Sequence, residues 1–244
     1  MTGKLQGRTA LVTGANRGIG LAVARLFANE GARLLLAGRN AEALQGVRDE
    51  IAASGGDARV LTVTLDDAAS VRKLAVSVAA AVGHLDIFVA NAASLGARLP
   101  LVKYPLDVWQ HTFRTNVEAN LLLLQELDPL LKASEAPRII MVSAGVARQG
   151  KATTGSYAVS KAALEAIVRI YAVEAAGTPT RINVVNPGPT RTTMRAQAAP
   201  DEDPATLKTP EDIAPLFVEL AMAECAKQGE VVNADTWLAG RKRT

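Results

Sequence analysis

Two residue groups stand out by type and spacing before any element is drawn. Tyr157 and Lys161 are four residues apart, a spacing that puts both side chains on one face of a helix. An ammonium near a phenol favours the phenolate and draws its pKa down from about 10. A phenol tuned in this way gives a proton to a carbonyl oxygen or takes one from an alcohol. Far upstream, Thr13-Gly14-Ala15-Asn16-Arg17-Gly18-Ile19-Gly20 reads as a glycine turn opening a helix. Glycines let the backbone turn sharply and approach a pyrophosphate, and a helix N-terminus presents free N–H groups and a positive dipole end. The spacing is GxxxGxG, not the commoner GxGxxG. Either pattern alone is weak evidence, the first as a chance match and the second as a tight connection. Together they point to proton transfer beside a bound phosphate-bearing ligand.

Such groups need a frame, and short apolar runs alternate with longer helical patterns along the chain. The runs are 9–13, 33–37, 58–63, 85–91, 138–143, 181–186 and a final 230–233 that closes the chain. Between them the spacing predicts helices from the glycine turn to about Asn29, to Ala53, over about 67–82, 106–133 and 155–176, and from Pro210. Strands apolar at every position belong inside a parallel sheet covered on both faces. The predicted fold is therefore α/β, a three-layer doubly wound (Rossmann) parallel sheet in a single domain over 1–244. Segment 188–209, rich in Pro, Thr, Asp and Ala, is expected to be a substrate loop or lid. Ligands of this fold bind outside the carboxyl ends of the strands, which is where the unusual residues fall.

Composition narrows the function classes. With 49% hydrophobic and 21% charged residues, the chain buries a sizeable core and is not disordered. Its 27 basic and 24 acidic residues are interspersed, and the one basic run is the tail Arg241-Lys242-Arg243, so nucleic-acid binding has little support. No Cys/His cluster has metal spacing, so no metal site is expected, and the lone Cys225 forms no internal disulfide. The N-terminus lacks a signal-like apolar region and no window is long enough for a membrane helix. The expectation is a cytoplasmic protein with no membrane partner.

From Thr13 to Gly20 the chain resembles the short-chain dehydrogenase/reductase family, matching its TGxxxGIG signature, and Tyr157-Ala-Val-Ser-Lys161 matches its YxxxK. The resemblance runs over essentially the whole chain. It implies a nicotinamide dinucleotide bound by Gly14, Asn16, Arg17, Gly18, Ile19 and Gly20. An acidic residue at the end of the second strand grips the ribose of NAD, whereas Arg accommodates the extra phosphate of NADP. Here Ala37-Gly38-Arg39-Asn40 has no carboxylate, so Arg39, flanked by Arg17 and Asn40, points to NADP(H). Beside the adenine the resemblance puts Thr64 with Leu65, or else Asp66. Asn91-Ala92-Ala93 resembles the family's NAG, with Ala93 for Gly, and passes close to the cofactor or braces the central sheet. Asn186-Pro187-Gly188-Pro189-Thr190-Arg191-Thr192 resembles its PG-x-x-x-T, where Pro187, Gly188, Thr190 and Thr192 hold the nicotinamide end.

The resemblance also assigns catalysis. Tyr157 is the general acid/base, Lys161 tunes it and holds the ribose, and Asn116 links it through water to solvent. The family's substrate-orienting serine is missing, because the expected position holds Ala144. Ser143, its neighbour, is expected to turn inward and take that role. The implied activity is NADPH-dependent interconversion of a small-molecule carbonyl and alcohol. Ala144 keeps open a catalytically weak dinucleotide-binding sensor, or an NADP-using enzyme of net non-redox chemistry. A homotetramer or homodimer is implied, through the helices 106–133 and 155–176. The family's C-terminal Asp-Gly-Gly is replaced by Asn233-Ala234-Asp235-Thr236-Trp237. His84 and His111 read as surface or packing residues, Tyr104, Trp109 and Phe113 as packing around the long helix or lining a subunit contact, and Trp237 as covering a pocket or a partner subunit. Asp66-Asp67 and Glu202-Asp203 read as helix starts and loop charges.

Overall fold

The computed structural model describes residues 3–241, so Lys242 and Arg243 of the basic tail lie outside the described residues. Seven parallel strands form one sheet in the order β3-β2-β1-β4-β5-β6-β7. They are β1 (Thr9–Thr13), β2 (Arg33–Gly38), β3 (Ala58–Thr62), β4 (Ile87–Ala90), β5 (Arg138–Val142), β6 (Arg181–Asn186) and β7 (Val231–Asn233). The order reverses between β1 and β4, and that switch point is where a sheet of this kind opens a crevice.

Alternation along each strand feeds two cores. Ala10 and Val12 of β1 and Ile140 and Val142 of β5 pack with α1 (Gly18–Asn29), α2 (Ala41–Ala53) and α8 (Pro210–Ala221). Leu11, Ile139 and Met141 face the other layer, which holds α3 (Ala68–Ala81), α5 (Ala119–Lys132) and α6 (Gly155–Glu174). Each fully buried phenylalanine, Phe27 and Phe217 on one side and Phe88 on the other, contributes about 1.5–3 kcal/mol by its removal from water.

Local chemistry sets the helix starts. Asn40 caps α2 by accepting from the Ala43 N–H, and Asp67 caps α3 by accepting from Ala69. Thr209 and Asp212 form a reciprocal capping box on α8, with Pro210 in its first turn.

The structure departs from the sequence expectations in four places. β3 is an edge strand, so Arg59 and Thr62 are exposed instead of buried. The helix expected over 106–133 is α4 (Leu106–Phe113) and α5 joined by a wide π-helical turn, Arg114–Glu118. The loop 188–209 contains a short helix, α7 (Thr193–Ala198), and a 3-10 turn at Pro204–Thr206. The last strand does not close the chain, because Asn233 Oδ1 accepts from the N–H groups of Asp235 and Thr236 and starts α9 (Ala234–Arg241). Among the described residues no helix is long and apolar enough to cross a membrane, and no group of acidic, His or Cys side chains is placed to hold a metal.

Candidate active site

The glycine turn is built by backbone geometry. Gly14 and Gly18 have φ of +68° and +55°, a region that side chains make costly. A Cβ on Gly20 would stand 2.3 Å from the Gly14 carbonyl oxygen and 2.5 Å from Asn91 Nδ2, so the start of α1 seats directly on the turn. Asn91 braces it: its Nδ2 donates to the Thr13 carbonyl at 2.9 Å, while the N–H groups of Asn91 and Ala92 donate to Thr13 Oγ1. At the start of α1, Arg17 makes no side-chain cap and no acidic residue occupies the first turn. Its N–H groups and dipole end are left for an anion.

Beside this turn, Arg39 and Arg17 are both exposed, and Asn16 Oδ1 lies 3.7 Å from the place a Cβ on Gly38 would take. The end of β2, where Arg39 follows Gly38, therefore lies beside Asn16 of the glycine turn. Asn40 uses its side-chain oxygen on α2. Thr64 is exposed next to buried Leu65, and its N–H donates to Ser70 Oγ. Asp66 instead faces His111 Nδ1 at 3.1 Å. His111 is thereby accounted for as a structural partner, as is His84, which lies 3.3 Å from Asp86.

Across the crevice, Tyr157 sits in the first turn of α6, half-buried, with Lys161 one turn later and only 1% exposed. Lys161 Nζ donates to the Val142 carbonyl at 2.6 Å and lies 5.9 Å from the centre of the Tyr157 ring. Burial pushes the Tyr157 phenol up to about 12 and Lys161 down to about 8. The expectation that Lys161 draws the phenol down is thus not met by the chain alone, because desolvation dominates both groups. Asn116 is fully buried in the π-helical turn. Its Oδ1 accepts from the Ser94 N–H, while its Nδ2 donates to the Ser94 carbonyl and to Ser160 Oγ. The widened turn thereby couples the strand-four loop to α6, the sort of place where π-bulges recur.

The buried Ser143 hydroxyl is engaged within the fold. Its hydroxyl donates to Glu165 Oε1 at 2.7 Å, and Arg148 reaches the other oxygen at 2.9 Å. Glu165 is 3% exposed, one turn beyond Lys161 on α6. A hydroxyl has one proton, and the one on Ser143 is used inside the fold. Sequence reasoning missed Glu165, whose only signal is its helical spacing from Tyr157 and Lys161. It also undervalued Tyr104, whose hydroxyl bonds Ser156 Oγ at 2.8 Å and the backbone of Ala97. Tyr104 stitches the loop after β4 to the residue preceding Tyr157, while Trp109 packs edge-on to it and stacks on Phe113.

The segment after β6 folds back over the glycine turn. Thr192 Cγ2 is 3.3 Å from where a Cβ on Gly18 would stand, and Thr192 caps α7. Thr190 is buried, with its hydroxyl on the carbonyls of Pro187 and Gly188. Lys208 bonds Asp235 and the Pro189 carbonyl, tying the base of the segment to α9. Glu202 pairs with Arg195, and Asp203 caps the 3-10 turn. Trp237 donates to Glu219 and packs on the core beside α8.

Comparison with known proteins agrees with this fold. The family model described as short chain dehydrogenase matches residues 8–203. The uncharacterized oxidoreductase YciK of Escherichia coli (strain K12) is 40% identical over 219 residues, 88% of this chain and 86% of that protein. A short chain dehydrogenase structure from Escherichia coli CFT073, complexed with NADPH, has a TM-score of 0.91 and 38% identity, covering 96% of this chain and 99% of its own. One from Shigella flexneri 2a str. 301, complexed with NADP, has a TM-score of 0.92 and 38% identity, covering 96% and 100%. With that family model over residues 8–203 and this identity to an oxidoreductase, the chain belongs to the short chain dehydrogenase family of oxidoreductases.

Proposed function

We propose that this protein uses NADPH to reduce a small-molecule aldehyde or ketone, or runs the reverse oxidation with NADP. The observation that carries this reading is the placement of Tyr157 and buried Lys161 at the end of β5, across the crevice from an uncapped glycine-turn helix. When bound, the cofactor supplies a hydride to the carbonyl carbon and, once oxidised, a positive charge beside the phenol. The chain's residues do the rest.

Gly14, Gly18 and Gly20 let the backbone approach the pyrophosphate, and Asn16, Ile19, Thr64, Leu65 and Ala92 line the adenosine half. Arg39 and Arg17 meet the extra phosphate, as guanidinium groups suit it. Pro187, Gly188, Thr190 and Thr192 hold the nicotinamide end under the segment 188–209, the proposed substrate lid. Tyr157 gives its proton to the substrate oxygen as the new C–H bond forms. Lys161 holds the ribose and favours the phenolate, and Asn116 positions water for refilling the proton. Leu121, Val159, Ile170 and Val173 leave α5 and α6 with exposed apolar side chains, which supports a homodimer or homotetramer through these helices.

A panel of aldehydes and ketones with NADPH tests the activity. Tyr157→Phe is expected to reduce turnover at least about 10²-fold, the scale of general acid catalysis, while NADPH still binds. Retained turnover overturns the reading. A second reading rests on Ala144 and the engaged Ser143 hydroxyl: a dinucleotide-binding sensor, which would bind NADPH and reduce nothing on the panel.

A further inference from the structure

Neither residue at the serine position offers a proton to a substrate, for Ala144 has none and Ser143 spends its own on Glu165. We propose that the side-chain amide of Asn186 is the donor that binds and polarises the substrate oxygen in their place. The proposal rests on the reductase reading above.

Asn186 is brought to this spot by the sheet. Val142 pairs with Val185 and the Ser143 N–H donates to the Val185 carbonyl at 2.9 Å, so Asn186 is the residue of β6 alongside Ser143. Ile182 and Val184 of β6 face the core layer that contains Leu164 and Val168 of α6. The two-residue period of a strand carries Asn186 to that same face, the face from which Tyr157 and Lys161 reach the strand ends. Lys161 Nζ rests on the Val142 carbonyl, one residue before Ser143.

The orientation of the amide is set by its own turn. Asn186 Oδ1 accepts from the Gly188 N–H at 3.2 Å, which makes the other side-chain atom the NH₂ group. That Nδ2 has no hydrogen-bond partner among the described residues, and the residue is only partly buried. It lies 3.8 Å from where a Cβ on Gly145 would stand. Gly145 follows Ala144, so two small residues leave the space beside the amide open. An amide N–H aimed at an oxygen that gains negative charge is a known form of transition-state stabilisation. In this step the hydride adds to the carbonyl carbon, Asn186 donates a hydrogen bond to the oxygen and Tyr157 delivers the proton.

The test uses the full chain with NADPH and the carbonyl panel. Asn186→Ala removes the amide, and Asn186→Asp keeps the acceptor for the Gly188 N–H while removing the donor. Both are expected to lower kcat about 10²-fold, and NADPH affinity is expected unchanged in Asn186→Asp, which keeps the Gly188 contact. Adding Ala144→Ser to Asn186→Ala is expected to restore turnover to within about tenfold of the parent, because it supplies a donor at the same oxygen. Wild-type kcat in both Asn186 variants overturns the assignment, as does a double variant no faster than Asn186→Ala. If Tyr157→Phe is inactive while the Asn186 variants are not, the assignment fails and the reductase reading stands. If Tyr157→Phe retains turnover, or nothing on the panel is reduced, both fail.

Discussion

The ammonium of Lys161 donates to the backbone carbonyl of Val142 at 2.6 Å while almost completely buried. This contact holds the first turns of α6 against the end of β5. It also leaves a costly charge inside the fold, because the lysine pKa is pushed down to about 8 by desolvation.

That depression has a sign. The unfolded chain binds the Lys161 proton more tightly than the folded chain, so the lysine contribution to stability is complete above about 10.5 and is lost as pH falls through 8. In the cofactor-free protein, the urea midpoint should therefore rise between pH 8 and 10. Lys161→Met should lack that rise and should be the more stable protein below pH 8, by roughly 3 kcal/mol at most. Tyr157, pushed up to about 12, removes stability only above pH 10 and so lies outside this window. Parallel midpoint-versus-pH curves for the two proteins would show that Lys161 is not the cause.

Glu165 joins β5 to α6 through Ser143 and also holds Arg148. Glu165→Ala strands the buried Ser143 hydroxyl and should lower stability by about 1–3 kcal/mol, read as a drop in Tm. Glu165→Gln keeps an acceptor and should cost less. Combining Glu165→Ala with Ser143→Ala should cost less than the sum of the two. Strict additivity would mean that Ser143 and Glu165 do not depend on each other. Arg148 adds little, because its side chain is 55% exposed.

Arg39 follows β2 in the open, next to Gly38, which lies beside Asn16 of the glycine turn. Arg39→Asp should weaken NADPH binding about 10–100-fold, the worth of one hydrogen-bonded charge contact, while NADH binding holds or improves, because a carboxylate at this place grips the ribose of NAD. Titration of the two dinucleotides by fluorescence checks this, and equal loss for both would point to damage in the glycine turn instead.

Much of this protein is legible from the linear chain. The strand positions, the glycine turn and the Tyr157–Lys161 pair follow from spacing, because a strand period, a helix period and a positive φ are local properties. Which side chain meets which is another matter. Ser143 and Ala144 are adjacent, and nothing in their order says that Glu165, a full helix turn past Lys161, accepts the hydrogen bond of the serine hydroxyl. The π-helical turn places Asn116 in contact with Ser94 and Ser160, which lie on the loop after β4 and on α6. Thr192 against Gly18, and Asn186 beside Gly145, likewise exist only because parallel pairing carries distant strand ends to one edge of the sheet. Hydrogen bonds are directional and short, so their partners are decided where the layers close.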